Sequence, residues 1–313
     1  MDQLTLDLPE LDLLDAPPDL ASYHRILINI SAGKDSQAAL DAVVKAAKAA
    51  AVADRLVAVH ADLGPMEWPG VRELAAEHAA HYNLRFEVVR RNGSNLLERI
   101  KERGMFPDSQ NRWCTSDFKR GPVRTLMTRL VREVREEGIS GRVRLLNVMG
   151  MRAQESPARR RLLAFSHDGS KTCSCEQCRT RTVAAAAILA AGGKVPKRLK
   201  TGHGASNSLR HVDTWLPIHG WTTAQVWERI GQAGTRPHMA YLLGMPRLSC
   251  VFCVLASRSA LILAAQLQPE LAALYAEAEA ATGHRFRQDL SMAEIIAEAA
   301  TRRPVRTVEE WAA

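Results

Sequence analysis

The stretch Ile26 to Val43, ILINISAGKDSQAALDAV, joins two different hydrophobic periods through one six-residue turn. Ile26-Leu27-Ile28-Asn29-Ile30 is short, apolar and β-branched, the pattern of a strand buried in a parallel sheet. Gln37 to Ala50 is Ala-rich and places Leu40, Val43 and Val44 on one helical face. The turn Ser31-Ala32-Gly33-Lys34-Asp35-Ser36 therefore sits between a strand end and a helix start. There, backbone N–H groups and the helix dipole favour an anion. Lys34 adds a positive charge and the serines add hydroxyl donors suited to phosphate oxygens. A Walker A loop needs a glycine where Ile28 stands, and the three-glycine dinucleotide fingerprint is absent. On these residues alone, an ordinary capped βα turn is the competing reading.

Beyond the turn the chain alternates strand and helix patterns. Arg55 to His60 reads as a second strand, about Val71 to Tyr82 as a helix, Arg85 to Val89 as a third strand and Val143 to Met149 as a later one. Such alternation implies an α/β fold with a parallel sheet, helices on both faces and ligands at the carboxyl ends of the strands. Three polar, Gly-containing segments fall at such ends: the opening turn, HADLGPMEWPG (His60 to Gly70) and GMRAQESPARRR (Gly150 to Arg161).

Charge is unevenly distributed. The first twenty residues hold six acids (Asp2, Asp7, Glu10, Asp12, Asp15, Asp19) and no Lys or Arg, so setting them aside turns the formal +8 into +14 for the rest. A basic body of this kind suits a polyanion such as nucleic acid, although it also serves plain solubility. The acidic, Leu-rich head reads as a docking segment or an arm that screens the basic surface. No apolar run reaches membrane-spanning length and no signal-peptide pattern opens the chain, so a cytoplasmic protein without a membrane partner is expected. Six cysteines in that setting are more often metal ligands than disulfides.

Five segments in order between residues 25 and 255 make the chain resemble the PP-loop ATP pyrophosphatases, in their phosphoadenosine phosphosulfate (PAPS) reductase-like branch. SAGKDS is similar to the SGGKDS loop, with Ala32 for the middle glycine. HADLG…EWPG, RWCTSDFKRGPV, GMRAQESPAR and WLPIHGWTTAQVWERI…HMAYLLGMPRLSCVFC resemble the branch's later motifs. The resemblance implies an adenine nucleotide alpha hydrolase-like sheet, ATP with Mg²⁺, and adenylation of a substrate oxygen with release of pyrophosphate. It implies Ser31, Gly33, Lys34 and Ser36 as phosphate ligands, with Lys34 offsetting charge on the leaving group. Asp35 becomes either a Mg²⁺ ligand or a helix N-cap. Asp62 and Gly64 would lie near the adenosine. Arg152, Glu155, Ser156 and Arg159 would line the acceptor side, the plainer reading of Glu155 and Arg159 being an exposed helix pair. Lys34, Asp35, Arg152 and Glu155 are the catalytic candidates.

Cys250-Val251-Phe252-Cys253 has a spacing that lets two thiolates grip one metal or cluster. Some relatives hold a [4Fe–4S] cluster with a Cys-Cys pair and a later C-x-x-C. Here Trp113 replaces the first of that pair, which leaves Cys114, Cys250 and Cys253 and one open iron. Cys173, Cys175 and Cys178, in a stretch of loop-like composition, are a fourth cluster ligand, a zinc set completed by His167 or His203, or free thiols. No cysteine follows Cys253, so the terminal nucleophile implied by the reductases is missing.

The expected function is ATP-driven replacement of a nucleic-acid oxygen by sulfur, with DNA phosphorothioation of the Dnd or Ssp type first. The alternatives are tRNA thiolation, sulfonucleotide (PAPS or APS) reduction and a non-catalytic ATP-binding sensor subunit. Expected partners are DNA, or tRNA, and a cysteine desulfurase as sulfur donor; a homodimer is compatible. The expected layout is an acidic segment (1–20), a PP-loop domain (21–255, with a flexible insertion at about 166–207) and a helical C-terminal region (256–313). Because cluster and nucleotide must share one crevice, the second half is not expected to fold alone. Trp215, Pro217 and Trp221 are expected to hold the Cys250–Cys253 turn against the sheet.

Overall fold

The structure is a computed structural model that describes residues 18–196, 199–200 and 202–303. The acidic head up to residue 17 and the last ten residues lie outside the described part. Strand β1 (Arg25–Asn29) leads into helix α1 (Lys34–Ala49), then β2 (Leu56–Ala61), α2 (Val71–His81) and β3 (Arg85–Val89). Helix α3 (Leu96–Arg103) precedes a short α4 (Trp113–Thr115), a π-helical segment (Ser116–Arg120) and the long α5 (Gly121–Glu136). Then come β4 (Val143–Met149), α6 (Pro157–Arg160), β5 (Phe165–His167), α7 (Glu176–Ala190) and β6 (Arg210–Trp215). Helices α8 (Thr223–Ala233), α9 (Met239–Leu242), α10 (Arg258–Leu267), α11 (Pro269–Thr282) and α12 (Met292–Thr301) complete the order.

The sheet runs β3-β2-β1-β4-β6-β5, parallel throughout except for β5, which pairs antiparallel to β6. The chain moves outward from β1 through β2 to β3, then returns to the other side of β1 with β4. The β1/β4 boundary is thus the topological switch point, where an open α/β sheet leaves a crevice. Asn29 reinforces that boundary: its side-chain amide donates to Asn147 Oδ1 at 2.7 Å and to the Val148 carbonyl at 2.8 Å.

Alternate residues of β1 feed two cores, as the two-residue period demands. Ile26 and Ile28 pack into a large cluster that includes Leu40, Val43 and Val44 of α1 and extends to Phe252, Tyr275 and Ile295. Leu27 faces Leu126, Leu130 and Val134 of α5 on the other side. The C-terminal helices therefore share a core with the sheet. Trp215 belongs to this shared core. Trp221 does not hold the Cys250–Cys253 turn as expected; it packs with Ala38, Ala39 and Val226 between α1 and α8.

The strands over Arg85–Val89 and Val143–Met149 stand where the sequence placed them, and β2 is shifted by one residue. Helix α1 begins three residues earlier than its apolar period suggests, because Gly33 is its N-cap and the Gly33 carbonyl accepts the Gln37 N–H. Within the stretch around 166–207 the described residues supply part of β5 and all of α7. Among the described residues, no helix is long and apolar enough to cross a membrane.

Two backbone positions set the switch point. Ala32 is fully buried with φ 54°, a left-handed conformation that favours glycine. Gly150 follows β4 with backbone pressed on the start of α1: a Cβ there would lie 2.6 Å from the Asp35 carbonyl oxygen. Gly150→Ala is expected to destabilise the fold by about 1–3 kcal/mol through overpacking. Ala32→Gly, in contrast, is expected to stay within about 1 kcal/mol of wild type, since relief of the left-handed strain offsets the lost methyl. Urea denaturation of both variants checks the contrast; equal midpoints would refute the close-approach argument.

Candidate functional site

The loop after β1 is tied by its own hydroxyls. Ser36 Oγ donates to the Gly33 carbonyl at 2.8 Å and accepts the Ser31 N–H at 3.1 Å. Gly33 has an ordinary φ of −78°, and a Cβ built there meets nothing nearer than 3.5 Å. The fold itself therefore does not demand glycine at 33. Tyr241 covers the helix start: its hydroxyl accepts the Lys34 N–H at 2.8 Å and the Leu248 N–H at 3.3 Å.

Lys34 is not solvated, as a loop lysine would be; it is 5% exposed. Its Nζ reaches the Pro246 carbonyl at 3.3 Å and Asp35 Oδ2 at 3.4 Å and lies 5.6 Å from the Tyr241 ring centroid. Burial pushes its pKa below the usual lysine value; Asp35 opposes the shift, and Arg152 adds to it. Asp35 is not the N-cap, because Gly33 holds that place. Its Oδ1 accepts from Arg152 Nε at 2.6 Å. Lys34 stands 3.4 Å from the other oxygen, and Asp35 faces the cavity described below.

Arg152, 3% exposed, binds this loop to two further segments. Its guanidinium donates to Gln154 Oε1 at 2.9 Å, to the Trp221 carbonyl at 3.2 Å and to Thr223 Oγ1 at 3.3 Å. Glu155 Oε2 accepts the Arg152 N–H at 3.0 Å, pairs with Arg159, and Oε1 lies 3.8 Å from Arg247 Nε. The Glu155–Arg159 pair is thus largely buried rather than solvated on a helix surface. Ser156 caps α6, accepting the Arg159 N–H at 3.2 Å. Burial, with Arg247 and Arg112 nearby, pushes the Arg159 pKa down to about 10. Positive charge here exceeds what the neighbouring acids neutralise.

A cavity of about 880 Å³ opens at the switch point. Ser31, Gly33, Asp35 and Ser36 line one side, Glu155 and Arg159 another, and the strand ends at Ala61 and Met149 contribute as well. Three polar strand ends do converge, as the sequence suggested. Lys34, Arg152 and Ser156 stand behind the wall rather than in it, and Asp62 and Gly64 are also outside the lining. Asp62 is engaged elsewhere: Oδ1 accepts the Gly64 N–H at 2.6 Å and Oδ2 pairs with Arg90 at 2.6 Å. Burial opposes its charge, but those two bonds outweigh it and hold the carboxyl below its usual range.

Sequence reasoning passed over most of the basic wall: Arg112, Lys119, Arg120, Arg124 and Arg247 all line the cavity. The first four sit in or beside the π-helical segment, a distortion that often accompanies function. Their signal in the sequence was the run RWCTSDFKRGPVR, four cations in thirteen residues around one cysteine.

Cys250 reaches the same cavity. It hydrogen-bonds Cys253, whose pKa falls to about 5 with help from the Leu255 N–H, while that of Cys250 rises. Cys114 lies within electrostatic range of both and is raised by burial. The Tyr275 hydroxyl, buried and with no hydrogen-bond partner among the described residues, faces the influence of all three thiols. These residues fit a sulfur-rich cofactor: three thiols, one of them readily a thiolate, and a buried O–H lacking an acceptor. The loop cysteines do not join them. Cys173, Cys175 and Cys178 gather with His167, all four ligand atoms within 4.8 Å of one another.

Residues 25–256 match the phosphoadenosine phosphosulfate reductase domain, and the chain belongs to that family, the PAPS reductase-like branch of the PP-loop proteins. An uncharacterized 37.8 kDa protein of Escherichia phage 186 is 26% identical over 207 residues, covering 66% of this chain and 48% of that protein. The chain spans about half the length of this curated relative. Two solved structures are also similar. One is phosphoadenylyl-sulfate (PAPS) reductase from Candida auris in its phosphate complex, with TM-score 0.38 and 15% identity, covering 74% of this chain and 83% of that one. The other is the U34-tRNA thiolase NcsA from Methanococcus maripaludis with its [4Fe-4S] cluster, with TM-score 0.38 and 12% identity, covering 91% and 74%.

His60, on the cavity wall, offers a pH test of the site. Nδ1 faces the Ile30 carbonyl at 3.0 Å and Nε2 faces Glu67 Oε2 at 3.0 Å, so both nitrogens meet acceptors. Burial opposes the imidazolium, but Glu67 and the carbonyl prevail and raise its pKa. Its stabilising contribution is therefore complete below about pH 6.5 and is lost as pH rises through the higher folded value. Glu67→Gln is expected to remove this loss. Denaturant midpoints measured from pH 6 to 9 for both proteins check it, and parallel curves would contradict the assignment.

Proposed function

We propose that this member of the PAPS reductase family uses ATP to activate an oxygen of a nucleic acid for replacement by sulfur, most specifically a non-bridging oxygen of a DNA phosphodiester. One observation carries the reading: the loop after β1 faces a wall of arginines and lysines across a single cavity that also reaches Cys250. The volume suits a nucleotide together with part of an acceptor, and the unbalanced positive charge suits two phosphate-bearing ligands at once.

In this mechanism the triphosphate lies against the N-terminus of α1, with the Ser31 hydroxyl as a donor and the Ser36 hydroxyl joining it when it turns away from the Gly33 carbonyl. Glycine at 33, not demanded by the fold itself, leaves room for close approach of a phosphate. The acceptor oxygen attacks the α-phosphorus, the bond to the β-phosphate oxygen breaks, and pyrophosphate leaves. Lys34, Arg159 and Arg247 stabilise the charge that develops, in a site where water is partly excluded. Arg152 holds Asp35, and through it the loop, at a fixed distance from the acceptor side. Sulfur at the sulfide level then attacks the activated phosphorus, the phosphorus–sulfur bond forms as the bond to the adenylated oxygen breaks, and AMP departs with that oxygen. Cys114, Cys250 and Cys253 would hold a [4Fe–4S] cluster, which supplies an iron site where sulfur can be carried. A cysteine desulfurase is the proposed source of that sulfur, delivered as a persulfide and brought to the sulfide level by a two-electron thiol or ferredoxin-type reductant. The wall of cations favours a polymer backbone over a small sulfonucleotide, because a polyanion can engage many of them together.

Lys34→Ala is expected to lower ATP-dependent pyrophosphate release about 100-fold or more while the thermal melt stays cooperative. Unchanged release would remove the central claim. Protein purified without oxygen is expected to carry about four iron and four sulfide per chain, and Cys250→Ser to lose them. Nucleoside mass spectrometry of DNA and tRNA from cells with and without the gene decides the acceptor: a sulfur-containing product only in tRNA would overturn the DNA assignment.

A further inference from the structure

We propose a second metal site, distinct from the Cys114–Cys250–Cys253 set and independent of the sulfur-transfer reading: a closed zinc site formed by His167 Nε2 and the thiolates of Cys173, Cys175 and Cys178. The donor atoms already stand close to the required shape. Cys173 Sγ lies 3.4 Å from Cys175 Sγ, and His167 Nε2 lies 3.4 Å from Cys173 Sγ and 3.5 Å from Cys175 Sγ. Cys178 completes a set in which all four donors fall within 4.8 Å of one another. Tetrahedral zinc with bonds of about 2.0–2.3 Å needs donors roughly 3.5–3.8 Å apart. Small adjustments therefore suffice.

The surroundings are those of a ligand set rather than of idle thiols. His167 Nδ1 lies 2.9 Å from Asp213 Oδ1, which fixes the tautomer with Nε2 free to coordinate. Asp213 is itself held, accepting from Tyr23 Oη at 2.7 Å and from His211. Arg142 donates to Cys173 Sγ at 2.8 Å and the Cys178 N–H to Cys175 Sγ at 3.4 Å, which offsets the excess negative charge of three thiolates. Gly169 makes room for the last sulfur, since a Cβ there would sit 2.6 Å from Cys178 Sγ.

Packing gives the site its purpose. Cys178 is the one buried residue of α7, while Val183 and Leu189 point to solvent. A helix with no apolar face of its own cannot be docked by the hydrophobic effect. Coordination through Cys178 docks it instead, linking α7 to β5 through His167 and to β6 through Asp213. His167, Gly169 and Cys178 also line the cavity, so the metal would stiffen one wall of it. Binding is redox-neutral: the three thiols release their protons to solvent and His167 gives a lone pair. Four protein ligands leave no open position, which marks a structural role.

The test uses the full chain. Elemental analysis after purification in zinc is expected to show one zinc per chain, and Co²⁺ exchanged into the site to give thiolate-to-cobalt charge transfer with tetrahedral d–d bands. Cys173→Ser/Cys178→Ser is expected to abolish both signals and keep the iron, whereas Cys250→Ser keeps the cobalt spectrum. His203→Ala leaves both unchanged. Asp213→Asn is expected to weaken zinc affinity about 10–100-fold. Chelation of wild-type protein provides a reading without mutation: trypsin then cuts within residues 171–181, and readdition of zinc restores protection. No zinc and no cobalt charge transfer in wild type would overturn the proposal. So would loss of iron in the double variant, which would place the loop thiols on the cluster, or loss of the cobalt spectrum in Cys250→Ser.

Discussion

The buried contact between Asp35 and Arg152 is what the rest of the site depends on. Asp35 opens α1 after the first strand, and Arg152 closes the fourth, so one ion pair spans the switch point of the sheet. Arg152 continues to the Trp221 carbonyl and Thr223, where α8 begins. Three segments remote in sequence are thereby held in one register. A buried ion pair adds little net stability, because desolvation offsets much of the attraction, but removing one partner leaves an unpaired buried charge costing about 3–5 kcal/mol. Its contribution here is position. Gly150 makes the contact geometrically open, since any side chain there would push the fourth strand's loop off the start of α1.

That fixed crevice carries more positive than negative charge. Glu155 is shared between Arg159, Arg247 and a backbone N–H, while Arg112, Lys119, Arg120 and Arg124 add four more cations to the cavity lining. Cations crowded in this way repel one another and gain from any anion that enters. Burial first, and then the guanidiniums of Arg247 and Arg112, lower the pKa of Arg159. Burial limits screening by salt in the inner part, while the outer arginines remain sensitive to ionic strength.

The six cysteines divide by geometry into two groups of different character. Cys114 and Cys250 pack on the core that holds Phe252 and Tyr275, at the junction of sheet and C-terminal helices, and Cys253 stands near the Tyr275 hydroxyl with them. Cys173, Cys175 and Cys178 sit between β5 and the first turn of α7 with an imidazole and a cation for company. The first group couples to the cavity through Cys250. The second couples to the fold through Asp213, a residue that also anchors Tyr23 ahead of the first strand.

Local pattern determined a good deal. The β-branched run at Ile26 to Ile30, the strands at Arg85–Val89 and Val143–Met149 and the turn around Gly33 were legible because two- and 3.6-residue periods and Gly placement are properties of neighbouring residues. The convergence of three strand ends followed from parallel topology alone. What the sequence left open depends on long-range partners. Nothing near Lys34 in the chain announces that Tyr241 and Pro246 bury it, and nothing near Asp35 announces Arg152. Nothing near Asp62 in the chain announces its ion pair with Arg90. The choice of His167 over His203 beside the loop cysteines rests on Asp213, forty-six residues away. Spacing fixes which residues can share a local face; only the folded chain decides which charges end up buried together, because that depends on how distant segments desolvate one another.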